Sequence, residues 1–203
     1  MKKTLFTTVL LFSILFLHAQ NYDRVFNPWK VELSLGGAIP KGEGSKGGVL
    51  FVVEPKYAVD DQFWVGLRIE TAVMARSLQY TDGSSSYTYS KVSASGSYVA
   101  TGDFYFTTSP FRPFIGAGGG IYHLASAEID DSYYGDIPVV SSYKPGAMLR
   151  AGFEAGIFRM GVEYNFIGNT RTTYTDPGGQ YTTVSQNSYL GVKIGVVLGG
   201  KRL

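Results

Sequence analysis

The chain has no cysteine among its 203 residues. That excludes a disulfide framework and a thiol-linked lipid anchor. Histidine is nearly absent too: there are two, His18 and His123. After the first 19 residues no long apolar run occurs, so no transmembrane helix is predicted. No segment carries a helical period, so no helix is available to cover a sheet. Charge of one sign is lacking as well. The formal net charge is +2, and Lys2 and Lys3 account for it, so the rest of the chain is balanced against its 16 acidic residues. No basic patch points to nucleic acid.

What is present begins with a leader. Lys2 and Lys3 precede an apolar stretch from Leu5 to Leu17, and Leu17-His18-Ala19 is an acceptable cleavage site. Residues 1–19 read as a secretory signal peptide. Residues 20–28 read as a short periplasmic lead, and 29–203 as one domain. Glycine (26), tyrosine (15) and phenylalanine (13) are abundant, as expected of many tightly packed strands with aromatic interfaces.

The last strand is the clearest. Leu190, Val192, Ile194, Val196 and Leu198 share one face; Tyr189, Gly191, Lys193 and Gly195 share the other. Roughly eight such segments follow one another. Trp29, Val31, Leu33, Leu35 and Ile39 oppose Lys30, Glu32, Ser34 and Gly36. Phe63, Val65, Leu67, Ile69 and Val73 oppose Gly66, Arg68, Glu70 and Arg76. Met160, Val162, Tyr164 and Phe166 oppose Gly161, Glu163 and Asn165. One aliphatic face, one face of glycine and charge, and no helix to bury the aliphatic side predict an eight-stranded antiparallel up-and-down transmembrane β-barrel, lipid outside and polar residues inside.

Connections alternate in length. Residues 60–62, 107–113 and about 157–159 read as short turns; 81–90, 128–144 and 171–185 read as long polar loops, with 40–47 intermediate. Short periplasmic turns and long outer loops are the habit of outer-membrane barrels. Glycine follows the charged face, which places Gly116, Gly118 and Gly120 inside and Ile115, Ala117 and Ile121 outside; Gly102 departs from the rule. The inward face carries Glu32, Glu54, Glu70, Asp103, Glu154 and Glu163 against Lys56, Arg68, Arg76, Arg150 and Lys193. Eight strands leave an interior just wide enough for side chains, so these charges are expected to pair as a structural network. The competing reading is a charged permeation path.

Two aromatic girdles are expected. Trp29, Tyr57, Phe63, Trp64, Phe104, Phe106, Phe111 and Phe114 fall near the short-turn end. Tyr80, Tyr87, Tyr89, Tyr122, Tyr143, Tyr174, Tyr181 and Tyr189 fall at or beyond the loop end. A ligand-stacking role for the loop tyrosines is the alternative.

Chemistry is hard to find. His123 and Ser126 are three apart, so an extended strand sends them to opposite faces, and a nucleophile–base pair would need a bulge. Gly116 to Gly120 lacks the Gly-Lys-Ser/Thr element and the following helix of a phosphate loop. Asp130, Asp131 and Asp136 do not have the spacing of a calcium loop. No enzyme, cofactor or metal is expected.

The segments Glu54-Pro55-Lys56-Tyr57, Phe63 to Glu70, Arg112 to Gly118 and Leu190 to Leu198 resemble the small outer-membrane β-barrel family (OmpX-, OmpW- and OmpA-barrel-like) over residues about 29–198. The resemblance implies the outer membrane of a Gram-negative cell. It implies membrane lipids and lipopolysaccharide as surroundings, and the barrel-assembly machinery and periplasmic chaperones as partners in biogenesis. It also implies an extracellular partner reached through 81–90, 128–144 and 171–185, a role in membrane integrity or surface interaction, or a narrow porin-like passage for small solutes. One departure is the ending Gly-Gly-Lys-Arg-Leu, where such barrels often close on an aromatic residue. The alternative from another class is a soluble lipocalin-like barrel that holds a ligand inside. It needs the reverse facing, apolar within and polar without.

Overall fold

The computed structural model describes residues 25–201, except 43, 83–84, 127–141 and 177–178. Ten strands follow in chain order: β1 (Trp29–Pro40), β2 (Lys46–Ala58), β3 (Phe63–Asp82), β4 (Ser85–Tyr105), β5 (Phe111–Ser126), β6 (Ser142–Ala155), β7 (Phe158–Ile167), β8 (Thr170–Asp176), β9 (Gly179–Ser185) and β10 (Tyr189–Gly199). β1 to β7 pair each with the next, β7 pairs with β10, and β10 returns to β1 from Lys30↔Gly199 to Pro40↔Tyr189. The ring is therefore a closed antiparallel barrel of eight strands, which leaves no open edge at membrane level.

Alternation dictates the facing. Leu35 is 64 % exposed and Ile121 55 %, whereas Glu54 and Arg68 are 0 %. Apolar side chains cover the outside and charged ones the inside. The glycine assignments follow the same logic: a Cβ on Gly66 would lie 3.0 Å from Glu54 Oε1, and one on Gly116 3.0 Å from Arg150 Nε. Gly102 does point outward, against the Phe63 ring. The turns are local chemistry. Asp60 Oδ1 accepts from the N–H of Gln62 (2.7 Å) and of Phe63 (2.6 Å), closing β2 onto β3. Gly156 takes φ +61° at the first position of the two-residue β6–β7 hairpin, a place that favours glycine.

The outer connections differ from the loops expected. Residues 81–90 are mostly strand: β3 and β4 stay paired up to Asp82↔Ser85. Residues 171–176 and 179–185 are strand, in β8 and β9, which pair from Thr170↔Ser185 to Asp176↔Gly179. β2 begins its pairing at Lys46↔Ala75, so the upper part of β3 would have an unpaired edge; β9 fills it from Leu78↔Ser185 to Thr81↔Thr182. Polar composition had marked these segments as loops, but threonine and tyrosine are good strand formers, and cross-strand pairing decides. Of 128–144, only residues 142–144 are described, and they belong to β6. The expected leader, residues 1–19, lies outside the described residues.

The lumen is layered. At the short-turn end Phe26, Ala58, Trp64, Tyr105 and Phe114 form an apolar floor. At the other end Ala38, Leu50, Ala72, Met74, Leu124, Met148 and Ile167 form a larger apolar layer. The charges lie between. The lead is part of the floor: Asp61 accepts from the N–H of Val25 (3.0 Å) and Phe26 (3.3 Å), and Asn27 N–H donates to Lys201 O at 2.9 Å.

Candidate functional site

The middle of the barrel is one connected lattice of ion pairs. Arg150, on β6, donates through Nε to Asp103 Oδ1 (2.6 Å) and through both Nη atoms to the Glu54 carboxylate (2.7 Å each). The bidentate fork ties β6 to β2 across the lumen, and the Nε bond ties it to β4. Asp103 also meets Lys56 (2.8 Å) and Arg159 (2.8 Å). Glu32 sits among Lys56 (2.8 Å), Arg159 (2.9 Å) and Lys193 (3.2 Å). Lys193 reaches Glu163 at 3.2 Å, Glu163 pairs with Arg68, and Arg68 with Glu70. Glu154 receives Lys30 (2.8 Å), Arg112 and Arg159 (3.3 Å).

Hydroxyl groups take up remaining lone pairs. Thr101 Oγ1 donates to Glu54 (2.6 Å), Ser34 Oγ to Glu32 (2.7 Å), Tyr105 OH to Glu154 (2.7 Å), and Tyr189 OH to Glu70. Charges this deep are tolerated only with such multiple partners. Lys30 Nζ also lies 4.0 Å from the Trp64 ring centroid, and the Arg159 guanidinium 3.5 Å from that of Phe114, so the aromatic floor carries part of the cationic load.

Every charged residue expected inside is inside, and all but one join this lattice. The exception is Arg76. It is buried but lies toward the outer end, above the apolar layer, and among the described residues it meets no carboxylate; Nη1 approaches Asn187 Oδ1 at 3.5 Å, and Nε and Nη2 have no partner. The apolar layer separates Arg76 from the carboxylates below, which alternation alone does not reveal.

Three members were missed. Lys30 lies on the face already recognised as polar, while Arg112 and Arg159 had been placed in turns. Arg159 has the parity of Gly161 and Glu163, which was the available signal.

Four of the aromatic residues expected in the girdles face inward instead. Trp64, Phe114, Tyr122 and Tyr189 are buried in the lumen, because each shares parity with an inward glycine. The outward rings at the short-turn end remain a belt: Trp29 packs edge-on to Tyr57 at 4.9 Å, Phe104 to Phe106 at 5.7 Å, and Phe111 lies 5.2 Å from Phe153. His123 stacks on Tyr143 at 4.5 Å. Gly116 to Gly120 lie mid-strand in β5, paired on both sides. Asp130, Asp131 and Asp136 lie outside the described residues.

Charge inside and aliphatic residues outside define the class: an eight-stranded barrel of the membrane-spanning kind, with the reverse of a lipocalin's facing. The solved structures it resembles agree. Neisserial surface protein A shares 16 % identity over 86 % of this chain and 98 % of its own, with a TM-score of 0.55. The outer membrane protein OprG of Pseudomonas aeruginosa shares 10 % over 89 % and 100 %, with a TM-score of 0.57. No family model and no curated protein matches the sequence. The chain thus has the fold of the small outer-membrane barrels.

Proposed function

We propose that this protein is an integral outer-membrane barrel, exported by its leader and held by lipid and lipopolysaccharide. Its interior is a strut, and its outward-facing sheet makes surface contacts. The observation that carries the reading is the contrast between the two parts. The lattice centred on Arg150 ties strands across the lumen and fills it with buried side chains. Outside the ring, β4, β3, β9 and β8 continue as a separate sheet, and β8 ends it with no further strand beside it among the described residues. A seven-residue edge without proline offers unpaired N–H and C=O groups to an extended segment of another protein. Assembly-machinery and chaperone partners follow from the same barrel reading.

The experiment is fractionation with single-cysteine labelling. Thr173→Cys in β8 is expected to react with an impermeant maleimide on intact cells, and Ser109→Cys in the β4–β5 connection only after the membrane is breached. A soluble pool without detergent, or the opposite labelling, defeats the reading. A second reading, narrow passage of small solutes, is favoured by one observation: toward the outer end Arg76 is a buried cation that meets no carboxylate among the described residues. Planar-bilayer recording separates the two, since a strut gives no steady conductance.

A further inference from the structure

Residues 25–27 stand outside the closed ring, yet Phe26 helps to close its floor. Phe26 is 6 % exposed and packs in one cluster with Ala58, Trp64, Tyr105 and Phe114, with Val25 against it. Its ring centroid lies 4.1 Å from the Arg112 guanidinium, and Arg112 pairs with Glu154. Phe26 thus touches the lowest tier of the ion-pair lattice, where Glu154 also receives Lys30 and the Tyr105 hydroxyl. The attachments of these residues are unlike those of a strand. Among the described residues, the Val25 and Phe26 N–H groups donate to Asp61 in the β2–β3 turn, at 3.0 and 3.3 Å, and Asn27 N–H donates to Lys201 O beyond β10, at 2.9 Å. None of these bonds belongs to a ladder of the ring, whose β1–β10 register starts at Lys30↔Gly199. Pro28 is fixed separately: its carbonyl accepts from Ala58 N–H at 2.8 Å, and β1 begins at Trp29. Residues 25–27 can therefore withdraw as a unit, pivoting at Pro28, without breaking a ladder bond. A short segment held by few bonds opens at far lower free energy than the barrel unfolds.

We propose that residues 25–27 are a movable stopper, with Phe26 as its head and Asp61 as its latch, that controls the access of water and small ions from the short-turn end to the ion-pair lattice. The inference goes beyond the strut and passage readings, neither of which specifies this end of the lumen. Seated, the Phe26 ring covers one face of the Arg112 guanidinium and completes the apolar floor. Withdrawn, it uncovers Arg112 and the Tyr105 ring stacked 4.6 Å from it, and with them the Glu154 carboxylate that both hold. The two positions are closer in free energy than the loss of apolar contact alone implies. Arg112 Nη1 has no hydrogen-bond partner while Phe26 is seated. Hydration of the uncovered guanidinium offsets part of the cost of withdrawal.

The test uses the full chain in phospholipid nanodiscs carrying Ala58→Cys, a floor position that is 1 % exposed, in a protein with no other cysteine. The rate of its modification by a charged methanethiosulfonate reports access to the floor. Phe26→Ala and Asp61→Ala are each expected to raise that rate about tenfold or more, whereas Phe26→Leu, which keeps an apolar head, stays within about twofold of the parent. In the parent, amide hydrogen exchange at Phe26 and Asn27 is expected to run about tenfold or more faster than at Leu33 within β1. Exchange at Ile194 in β10 stays the same in every variant, which shows that the ring is intact. Three results overturn the proposal. Equal modification rates in the parent and both alanine variants mean that Phe26 is not the seal. Exchange at Phe26 as slow as at Leu33 makes it a fixed wall. Faster modification accompanied by faster exchange at Ile194 means that the ring itself opened.

Discussion

Replacing Arg150 by alanine removes the cation that grips Glu54 with both Nη atoms. Three bonds go at once: two to Glu54 at 2.7 Å and one to Asp103 at 2.6 Å. The two carboxylates are not left equally poor. Asp103 keeps Lys56 and Arg159, each at 2.8 Å. Glu54 keeps the Thr101 hydroxyl at 2.6 Å and only a distant Lys56 at 3.6 Å. The damage should therefore concentrate on Glu54, a carboxylate with no exposure and a single remaining cation, Lys56 at 3.6 Å. Breaking a buried pair from one side costs about 3–5 kcal/mol. Removing both partners costs less, because no charge is stranded. The assay is reversible urea unfolding in lipid vesicles, followed by tryptophan fluorescence and by the gel shift of the heat-denatured form. Arg150→Ala should lose about 3–5 kcal/mol. Glu54→Gln with Arg150→Met should regain part of it, with a coupling of roughly 1–3 kcal/mol between the sites. Additive losses, or an Arg150→Ala variant as stable as the parent, would refute the idea that Glu54 depends on Arg150.

Val192, outward on β10 and paired with Val162, should cost roughly 2–4 kcal/mol as arginine if it lies near the bilayer midplane; the same urea assay reads it. Gly116→Val should fail to fold or lose several times more stability than Gly119→Val. A Cβ at 116 is driven into Asp103 and Arg150, while one at 119 has a nearest neighbour at 3.9 Å; yield of heat-modifiable barrel decides. Asp61→Ala should free the lead by removing the acceptor of the Val25 and Phe26 N–H groups, so hydrogen exchange of those two amides should quicken while β10 stays protected. Replacing 171–184 by two glycines should remove β8 and β9 yet leave barrel stability within about 1 kcal/mol, since neither strand belongs to the closed ring; a large loss would make the outer sheet structural.

Much of this was legible because a membrane barrel writes its facing into strict alternation. Val192 against Lys193, or Leu67 against Arg68, needs no tertiary information: a one-residue slip would put arginine into lipid. The glycines of β5 were readable for the same reason, as the room that Arg150 and Asp103 require. Three things were not. Strand ends extend past apparent turns, which hid Arg112 and Arg159. Aromatic residues can serve as a belt or as floor and ceiling of the lumen, and composition near a strand end does not distinguish Trp29 from Trp64; only parity does. The outer sheet is set by a vacancy, the edge of β3 above Lys46, and a polar sequence such as that of β9 becomes a strand because that edge is there to pair with.

The central claim is that lipid lies outside and the ion-pair lattice inside. It is tested most directly by a nitroxide scan along β10 in lipid bilayers, reading accessibility to oxygen against a polar nickel chelate. The account predicts oxygen maxima at 192, 194 and 198 and minima at 191, 193 and 197, a two-residue period matching the exposed and buried positions of the strand. Maxima at 191, 193 and 197, or no alternation, would contradict it.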